Sequence, residues 1–246
     1  MNGPRTFNRP PGKRVAVSLT FDDARQSQVD AGLPILNRHG VKATFYVSIP
    51  RAAEQAAGWR AAVAAGHEIG NHSLNHPCSA NFFWKARNVL EDYTLERMEE
   101  ELLEANSRLT DLFGVTPRTF AYPCGQDFVG RGAGRQSYVP VVARHFLAGR
   151  GFRDEHLNPP EICDLAKLGG TELDGLNAAD IRSTLDRAAE NQLWLVLAGH
   201  DVGSSGRQTT RTEALEEFCA YCVDPASGVW IDTVANIAAY VKANQG

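Results

Sequence analysis

The sequence predicts an α/β protein built on parallel strands. Short apolar runs alternate with longer amphipathic runs, strand then helix, about seven times along the chain. Hydrophobic residues make up 43% and charged residues 22% of the 246 positions, which is typical of a globular domain. Helices that connect parallel strands cross over in the right-handed sense, so either a barrel or an open doubly wound sheet fits this order. In both architectures, chemistry belongs at the carboxyl ends of the strands.

The elements follow from local periodicity. Residues 15–21 alternate with period two and predict the first strand, whereas the continuous apolar run 193–198 predicts a fully buried strand. The other predicted strands are 43–48, 67–71, 116–122, 162–173 and 229–231. The predicted helices, which carry apolar residues at helical spacing, are 29–38, 52–65, 95–113, 139–147, 177–191, 212–222 and 235–242.

Composition excludes several classes of protein. The formal net charge of −4 argues against a nucleic-acid partner, which would require a basic face. No stretch approaches the roughly 20 apolar residues of a membrane span. We predict a flexible segment at 1–13 followed by a single domain at 14–246. The first residues lack an apolar signal region, so we expect a cytoplasmic protein unless an export signal has been removed.

The five cysteines are odd in number and widely scattered, so they predict no disulfide framework. Cys219 and Cys222 form a C-A-Y-C run inside a helical pattern, without a second pair. We therefore interpret them as packed or surface thiols rather than as a redox or zinc motif.

Two carboxylates follow the first strand directly. Asp22 and Asp23 fall on opposite faces of the strand, because side chains alternate with period two. The two adjacent carboxylates repel each other, and they lose hydration next to a buried strand. A divalent metal would compensate for this charge. The alternative is a pair of aspartates that cap a helix or turn the chain.

Polar side chains also follow three other strands. His72 and His76 are four residues apart and would share one face of a helical turn, a common zinc-ligand spacing, although hydrogen-bonded histidines are the alternative. Pro123 begins a Pro-x-Gly turn that either aims backbone N–H groups into a cavity or is a plain loop. His200 leaves the buried strand beside Asp201 and could be a general acid or base, or a structural histidine. Since strand ends converge in a barrel, the four signals together favour a functional site.

The ordered motifs T-F-D-D (20–23), N-H-S-x-x-H-P (71–77), R-x-F-x-Y-P-x-G (118–125) and L-x-L-x-G-H-D (195–201) resemble those of the polysaccharide deacetylases. These are the carbohydrate esterase family 4 enzymes with a NodB-like domain. The resemblance extends from about residue 14 to residue 240. It implies an irregular (β/α)7 barrel that removes acetyl groups from N-acetylated or O-acetylated carbohydrate.

The resemblance also implies roles for individual residues. Asp23, His72 and His76 would hold a divalent metal, most simply Zn²⁺, although Co²⁺, Ni²⁺ or Mn²⁺ also suit two imidazoles and one carboxylate. Asp22 would be the general base that activates a water at the metal, and His200 would be the general acid.

The third motif implies an oxyanion and substrate-binding group made of Arg118, Tyr122 and Cys124, with the backbone N–H of Cys124 facing the oxyanion. Many members place an arginine at the position of Ala121, where it touches the base, and this chain lacks it. Cys124 also replaces an aromatic residue, which predicts a wider pocket.

Two further features have alternative interpretations. Asp174 is a candidate for orienting His200, but an ordinary strand-end turn is the favoured interpretation. The aromatic segment 81–92 could be a platform for sugar rings or a lid packed on the barrel.

Two other functions compete with a carbohydrate deacetylase. One is a metal-dependent amidohydrolase for a small non-sugar amide, which would use the same metal, base and acid. The other is a catalytically inactive barrel that only binds carbohydrate. The sequence does not fix the sugar or the oligomeric state.

Overall fold

The computed structural model describes residues 7–84 and 87–245. The strands are Val15–Asp22 (β1), Thr44–Val47 (β2), Glu68–Asn71 (β3), Thr119–Ala121 (β4), Phe128–Val129 (β5), Gln136–Ser137 (β6), Ala148–Arg150 (β7), Thr171–Glu172 (β8), Trp194–Gly199 (β9), Asp201–Gly203 (β10), Thr209–Arg211 (β11) and Val229–Ile231 (β12). The α-helices are Leu33–Arg38 (α1), Ile49–Glu54 (α2), Ala56–Ala64 (α3), Leu95–Phe113 (α4), Val139–His145 (α5), Ala178–Glu190 (α6), Thr212–Val223 (α7) and Val234–Asn244 (α8).

Seven parallel strands curl around a common axis in the order β7-β4-β3-β2-β1-β9-β8. An isolated parallel bridge between Arg150 and Leu168 connects β7 to the segment before β8, which brings the two edges of the sheet together. The remaining strand, β12, pairs with the amino half of β1, whereas β2 pairs with its carboxyl half. The fold is therefore the irregular (β/α)7 barrel that the family resemblance implies, and not the open sheet that the residue patterns also allowed.

The longest strands form the centre of the barrel. Every residue of β1 and of β9 is buried, and their parallel register runs from Ala16–Trp194 to Phe21–Gly199. Because both faces of a parallel sheet are covered, β9 is a continuous apolar run, and Ser18 and Thr20, which alternate with apolar residues in β1, are also buried. By contrast, β3 and β4 share only the register pair Asn71–Phe120.

The helices begin and end at capping residues that the sequence displays. The Thr94 side chain accepts a hydrogen bond from Arg97 N–H at the start of α4, and Gly114 ends that helix in the left-handed conformation. Asn177 and Asp180 form a capping box at the start of α6. These caps define the ends of the outer helices α4 and α6.

The strand predicted at 162–173 is wrong for most of its length. The structure has a short 3-10 turn at Leu165–Lys167 and only the two residues of β8. The sequence analysis also missed β7, a strand of three residues without apolar periodicity. A side chain at Gly149 would place its Cβ 2.5 Å from the carbonyl oxygen of Ala166, so the glycine lets β7 approach this turn.

The flexible segment predicted at 1–13 divides into two parts. Residues 1–6 lie outside the described residues, whereas 7–13 contact the barrel. Arg9 donates a hydrogen bond to Gln192, and Lys13 donates one to the carbonyl oxygen of Val229. Within the described ranges, no helix has both the length and the apolar character of a membrane span.

Candidate metal centre and active site

The two aspartates after β1 diverge, as their alternation predicts. Asp22 is the last residue of the strand and is buried. Asp23 leaves the strand with a φ of 76°, a left-handed conformation that is uncommon for a residue with a Cβ atom. Its N–H donates to the carbonyl oxygen of Tyr46 at 3.0 Å, and its own carbonyl accepts from Ser48 Oγ at 2.9 Å. The end of β2 and the residue after it thus hold the backbone that turns the Asp23 carboxylate away from Asp22.

Asp23 meets the two histidines that follow β3. Its Oδ1 lies 3.7 Å from Nε2 of His72 and 3.7 Å from Nε2 of His76. Nδ1 of His72 lies 3.0 Å from the carbonyl oxygen of Ala121, an acceptor that keeps the proton on Nδ1 and turns the Nε2 lone pair toward Asp23. These three residues form one of the clusters able to hold a metal ion among the described residues.

The geometry of this cluster fits a divalent cation. Ligand bonds of about 2.0–2.2 Å in tetrahedral directions place the ligand atoms about 3.3–3.6 Å apart. The observed separations of 3.7 Å from Asp23 to each histidine are close to that spacing. Three protein ligands would leave one coordination position for solvent or substrate, as catalytic zinc sites do.

The backbone around the histidines is a loop and not the helical turn that their spacing predicts. Ser73 and His76 both have positive φ values, 62° and 49°. The N–H of Ser73 donates to Asn71 Oδ1, and the N–H of His76 donates to Ser73 Oγ. Side-chain acceptors thus replace helical hydrogen bonds, and the histidines still converge.

The charge around Asp23 favours its ionised form. Burial by itself would raise the pKa of this carboxyl, but the neighbouring His72, His76, His200 and Arg25 outweigh it and lower the pKa to about 2. Arg25 also contacts the carboxylate directly, with Nη2 at 3.1 Å from Oδ2. Asp23 is therefore available as an anionic ligand over the whole physiological pH range.

Asp22 pairs with a buried arginine that the sequence analysis missed. Nη2 of Arg150, the last residue of β7, donates to Oδ1 of Asp22, and Arg150 is fully buried. The guanidinium lies over the ring of Tyr46, with its Cζ 4.9 Å from the ring centroid, and Nη1 donates to the carbonyl oxygen of Gly151. Arg150 thus supplies a cation to Asp22, which Ala121 cannot do.

Arg118 does not join this group. It precedes the first residue of β4, at the amino end of the strand, and it is exposed. The site lies at the opposite, carboxyl ends of the parallel strands. Arg118 thus lies at the opposite end of β4 from these groups, and its part in substrate binding stays a prediction.

His200 pairs with Asp174, against the favoured interpretation of that aspartate as an ordinary turn residue. Nδ1 of His200 lies 2.6 Å from Oδ2 of Asp174, whose Oδ1 accepts from the His200 N–H at 3.0 Å. Burial would lower the pKa of His200, but the hydrogen bond to Asp174 and the charges of Asp22 and Asp23 outweigh it, so the pKa is raised. The ring of Phe152 packs edge-on against His200 at 5.4 Å.

One buried side chain connects the two strand ends that carry Asp22 and His200. Nε2 of Gln28 donates to the carbonyl oxygen of Asp22 at 2.6 Å and to that of His200 at 2.8 Å. Since one amide bonds both carbonyls, the ends of β1 and β9 are held in a fixed relation. No sequence pattern singled out Gln28.

The third motif forms the predicted tight turn, and two of its side chains make contacts that the sequence analysis did not foresee. Tyr122 is fully buried and its hydroxyl donates to the carbonyl oxygen of Ala166 at 2.6 Å, so this hydroxyl is directed into the core. Cys124 has a φ of 56° and forms a disulfide with Cys78. The disulfide is a correction to the cysteine analysis, whereas Cys219 and Cys222 are buried free thiols as predicted.

A cleft borders the site, and the aromatic segment is exposed. A cleft of about 490 Å³ is lined by residues that include Arg25, Asp201 and Gln208, and Nε2 of Gln208 lies 3.5 Å from Nε2 of His200. In the aromatic segment, Phe83 is 97% exposed and Trp84 52% exposed, so these rings are not packed on the barrel as a closed lid would be.

Replacing Arg150 by methionine should lower the free energy of unfolding by about 3–5 kcal/mol, because the Asp22 carboxylate would remain buried without its partner. Urea denaturation of the metal-free protein measures this loss. Arg118→Met is the matched control, and at this exposed position we expect a change within about 0.5 kcal/mol. Equal, small losses in both variants would contradict the buried ion pair.

Comparison with known proteins is consistent with the motifs. The family model described as polysaccharide deacetylase matches residues 9–129. The peptidoglycan N-acetylglucosamine deacetylase PgdA of Listeria monocytogenes is 29% identical over 131 residues, which are 53% of this chain and 25% of the relative. A chitooligosaccharide deacetylase of a Bradyrhizobium species is 39% identical over 74 residues, 30% of this chain and 33% of the relative. The matched segments thus span only a quarter to a third of these relatives.

Solved structures share the fold over most of the chain. A Mycobacterium smegmatis protein assigned to the polysaccharide deacetylases superposes with a TM-score of 0.69 and 20% identity, covering 98% of this chain and 95% of that one. A family 4 acetyl xylan esterase of Clostridium thermocellum, in complex with a cobalt ion, superposes with a TM-score of 0.58 and 20% identity, covering 90% and 89%. Residues 9–129, just under half of this chain, thus match the polysaccharide deacetylase family, and almost the whole chain shares the fold of a solved structure assigned to that family.

Proposed function

We propose that this protein is a metal-dependent deacetylase that hydrolyses acetyl groups from N-acetylated or O-acetylated carbohydrate. The observation that carries the proposal is the convergence of three units at one end of the barrel. These units are the cluster of Asp23, His72 and His76, the Asp22–Arg150 pair and the His200–Asp174 pair.

The metal cluster would supply the electrophile. Asp23, His72 and His76 would hold a divalent cation, which would supply Lewis-acid chemistry to an acetyl carbonyl and to water near neutral pH. Zn²⁺ is our first choice, and two imidazoles with one carboxylate also suit Co²⁺, Ni²⁺ or Mn²⁺. The cobalt ion in the Clostridium thermocellum structure supports a divalent ion of this class.

Asp22 is the general base of the proposed reaction. Arg150 donates to Oδ1 of Asp22 and holds the carboxylate in one orientation, so we assign Oδ2 as the atom that accepts the proton of the attacking water. Because Arg150 is itself buried and held by Gly151, the base does not need to reorganise during the reaction.

His200 is the general acid. Its Nδ1 donates to Asp174, which leaves Nε2 to protonate the departing amine or alkoxide. The raised pKa of His200 keeps this proton available. The backbone N–H of Cys124 is our candidate donor to the carbonyl oxygen as negative charge develops on it.

Carbohydrate is the proposed substrate class for two reasons. The relatives found by sequence act on N-acetylglucosamine of peptidoglycan and on chitooligosaccharide, and the structural relative is an acetyl xylan esterase. The exposed rings of Phe83 and Trp84 also offer flat apolar faces of the kind on which sugar rings stack.

Acetate release tests the proposal directly. The metal-free and metal-loaded proteins are incubated with acetylated chitooligosaccharide, acetylxylan and a small cyclic amide. Metal-dependent release from either carbohydrate supports the proposal. Hydrolysis of the small amide alone would favour the amidohydrolase, and sugar binding without hydrolysis at any metal loading would favour the inactive barrel.

Mutation should distinguish the roles of the two aspartates. Asp22→Asn should lower turnover by the roughly 10²–10⁴-fold that a general base contributes and leave metal affinity largely unchanged. Asp23→Asn should weaken metal binding itself. Isothermal titration with Zn²⁺ and acetate release measure the two effects, and loss of the metal from Asp22→Asn would show that the two roles are reversed.

The pH dependence should report on Asp174. Since His200 must be protonated to act as the acid, activity falls as the pH rises through its pKa, and the raised pKa extends activity to higher pH. Asp174→Asn removes the hydrogen bond to a carboxylate that raises this pKa, so the alkaline limb of the kcat/KM profile should move to lower pH. Asp180→Asn, which removes a carboxylate at the start of α6, is the control and should leave the limb in place. An unmoved limb in Asp174→Asn would contradict the assignment.

A further inference from the structure

A single covalent bond joins the metal-binding loop to the turn of the third motif. Cys78 lies two residues after His76, and its disulfide partner Cys124 lies 46 residues further along the chain, with the two Cα atoms 6.1 Å apart. Nδ1 of His76 lies 3.5 Å from Sγ of Cys78. The bond therefore connects the segment that carries His76, a proposed metal ligand, to Cys124, whose N–H is the proposed oxyanion donor.

The sheet gives these two segments little lateral support. Their strands, β3 and β4, share only the pair Asn71–Phe120, whereas β1 and β9 pair along most of their length. Beyond the strand ends, the two segments are also joined by the contact of His72 with the carbonyl oxygen of Ala121 and by the hydrogen bond from Ser79 N–H to Gln126 Oε1 at 2.7 Å. The disulfide adds a covalent bond to these two hydrogen-bonding contacts.

Both joined turns hold a residue in a conformation that it rarely adopts alone. His76 has a φ of 49° and Cys124 a φ of 56°, in the left-handed region that favours glycine. Such residues persist only where the surrounding structure holds them. Since the disulfide anchors both turns, its loss removes a restraint from each.

The bond is also open to a reductant on one side. Cys78 is fully buried, whereas Cys124 is partly exposed. A dithiol can transfer two electrons and two protons to the bond, which breaks the Sγ–Sγ link and leaves two protein thiols while the dithiol becomes a disulfide. A disulfide oxidant reverses the reaction.

We propose that the Cys78–Cys124 disulfide is a positioning element of the active site, and that its reduction slows hydrolysis by releasing the turn that carries the Cys124 N–H. This inference rests on the proposed deacetylase function. A misplacement of about 1 Å at a reacting group can cost about 10²-fold in rate, so we expect kcat to fall between about tenfold and 10²-fold. KM should change much less, because the remainder of the substrate surface is left in place.

A competing explanation for such a loss is metal capture by the new thiols. Nδ1 of His76 and the two sulfur atoms lie close enough together to form a ligand set once the bond is reduced. The double variant Cys78→Ser, Cys124→Ser lacks both the bond and the thiols. A loss of kcat shared by the reduced protein and this variant therefore comes from the missing tie.

The experiment compares the oxidised protein, the phosphine-reduced protein and the double variant, all loaded with Zn²⁺. Thiol titration after denaturation verifies the states, since three free cysteines should become five on reduction. Cys163→Ser, which alters a free cysteine elsewhere, should keep both full activity and its response to reduction. Reoxidation of the reduced protein should restore kcat, and the phosphine should not affect the double variant.

Hydrogen exchange of the metal-free protein supplies a readout that is independent of activity. Reduction should speed exchange in peptides that cover 72–80 and 122–130, and should leave the buried strand Trp194–Gly199 unchanged. Unchanged kcat and unchanged exchange in protein with five verified thiols would overturn the inference, as would a loss spread evenly over the chain. No hydrolysis by the oxidised protein, together with faster exchange at the two segments, would instead overturn the proposed function.

Discussion

The end of this barrel that carries the candidate site depends on two carboxylates at the end of one buried strand. Asp22 and Asp23 cannot lose water without partners of opposite charge or hydrogen-bond donors. The chain meets this constraint separately for each of them. Arg150 pairs with the first, and the two histidines with Arg25 surround the second. Because their partners differ, the two aspartates have different proposed roles: Asp22 is the base and Asp23 is a metal ligand.

The barrel delivers each partner from a different strand end. The histidines follow β3, Arg150 ends β7 and His200 follows β9, while β1 lies between β2 and β9 in the sheet. Parallel strands bring all these ends to one rim, so residues far apart in the chain need only short loops to meet. Gln28 then fixes the ends of β1 and β9 to each other through their carbonyl groups.

Sequence analysis predicted the candidate site residues that lie next to a clear strand pattern or motif. It missed residues that lie next to short strands without such a pattern. The aspartates after β1 and the histidines after β3 and β9 were visible in this way. Arg150 was missed because β7 has three residues and no apolar period. Asp174 was undervalued since β8 has only two residues. The Cys78–Cys124 pairing depends on β3 and β4 being neighbours, which is a property of strand order rather than of cysteine spacing.

The position of Arg150 bears on how such sites are recognised in other chains. Neighbouring strands lie about 4.8 Å apart, a distance that one extended guanidinium side chain can cross. Residue 121 of β4 is an alanine, and the adjacent β7 supplies the cation that contacts Asp22. A reader who scores a chain by its third motif would judge this one defective. The Asp22 carboxylate needs a positive charge at one point in space, and more than one place in the polypeptide can provide it.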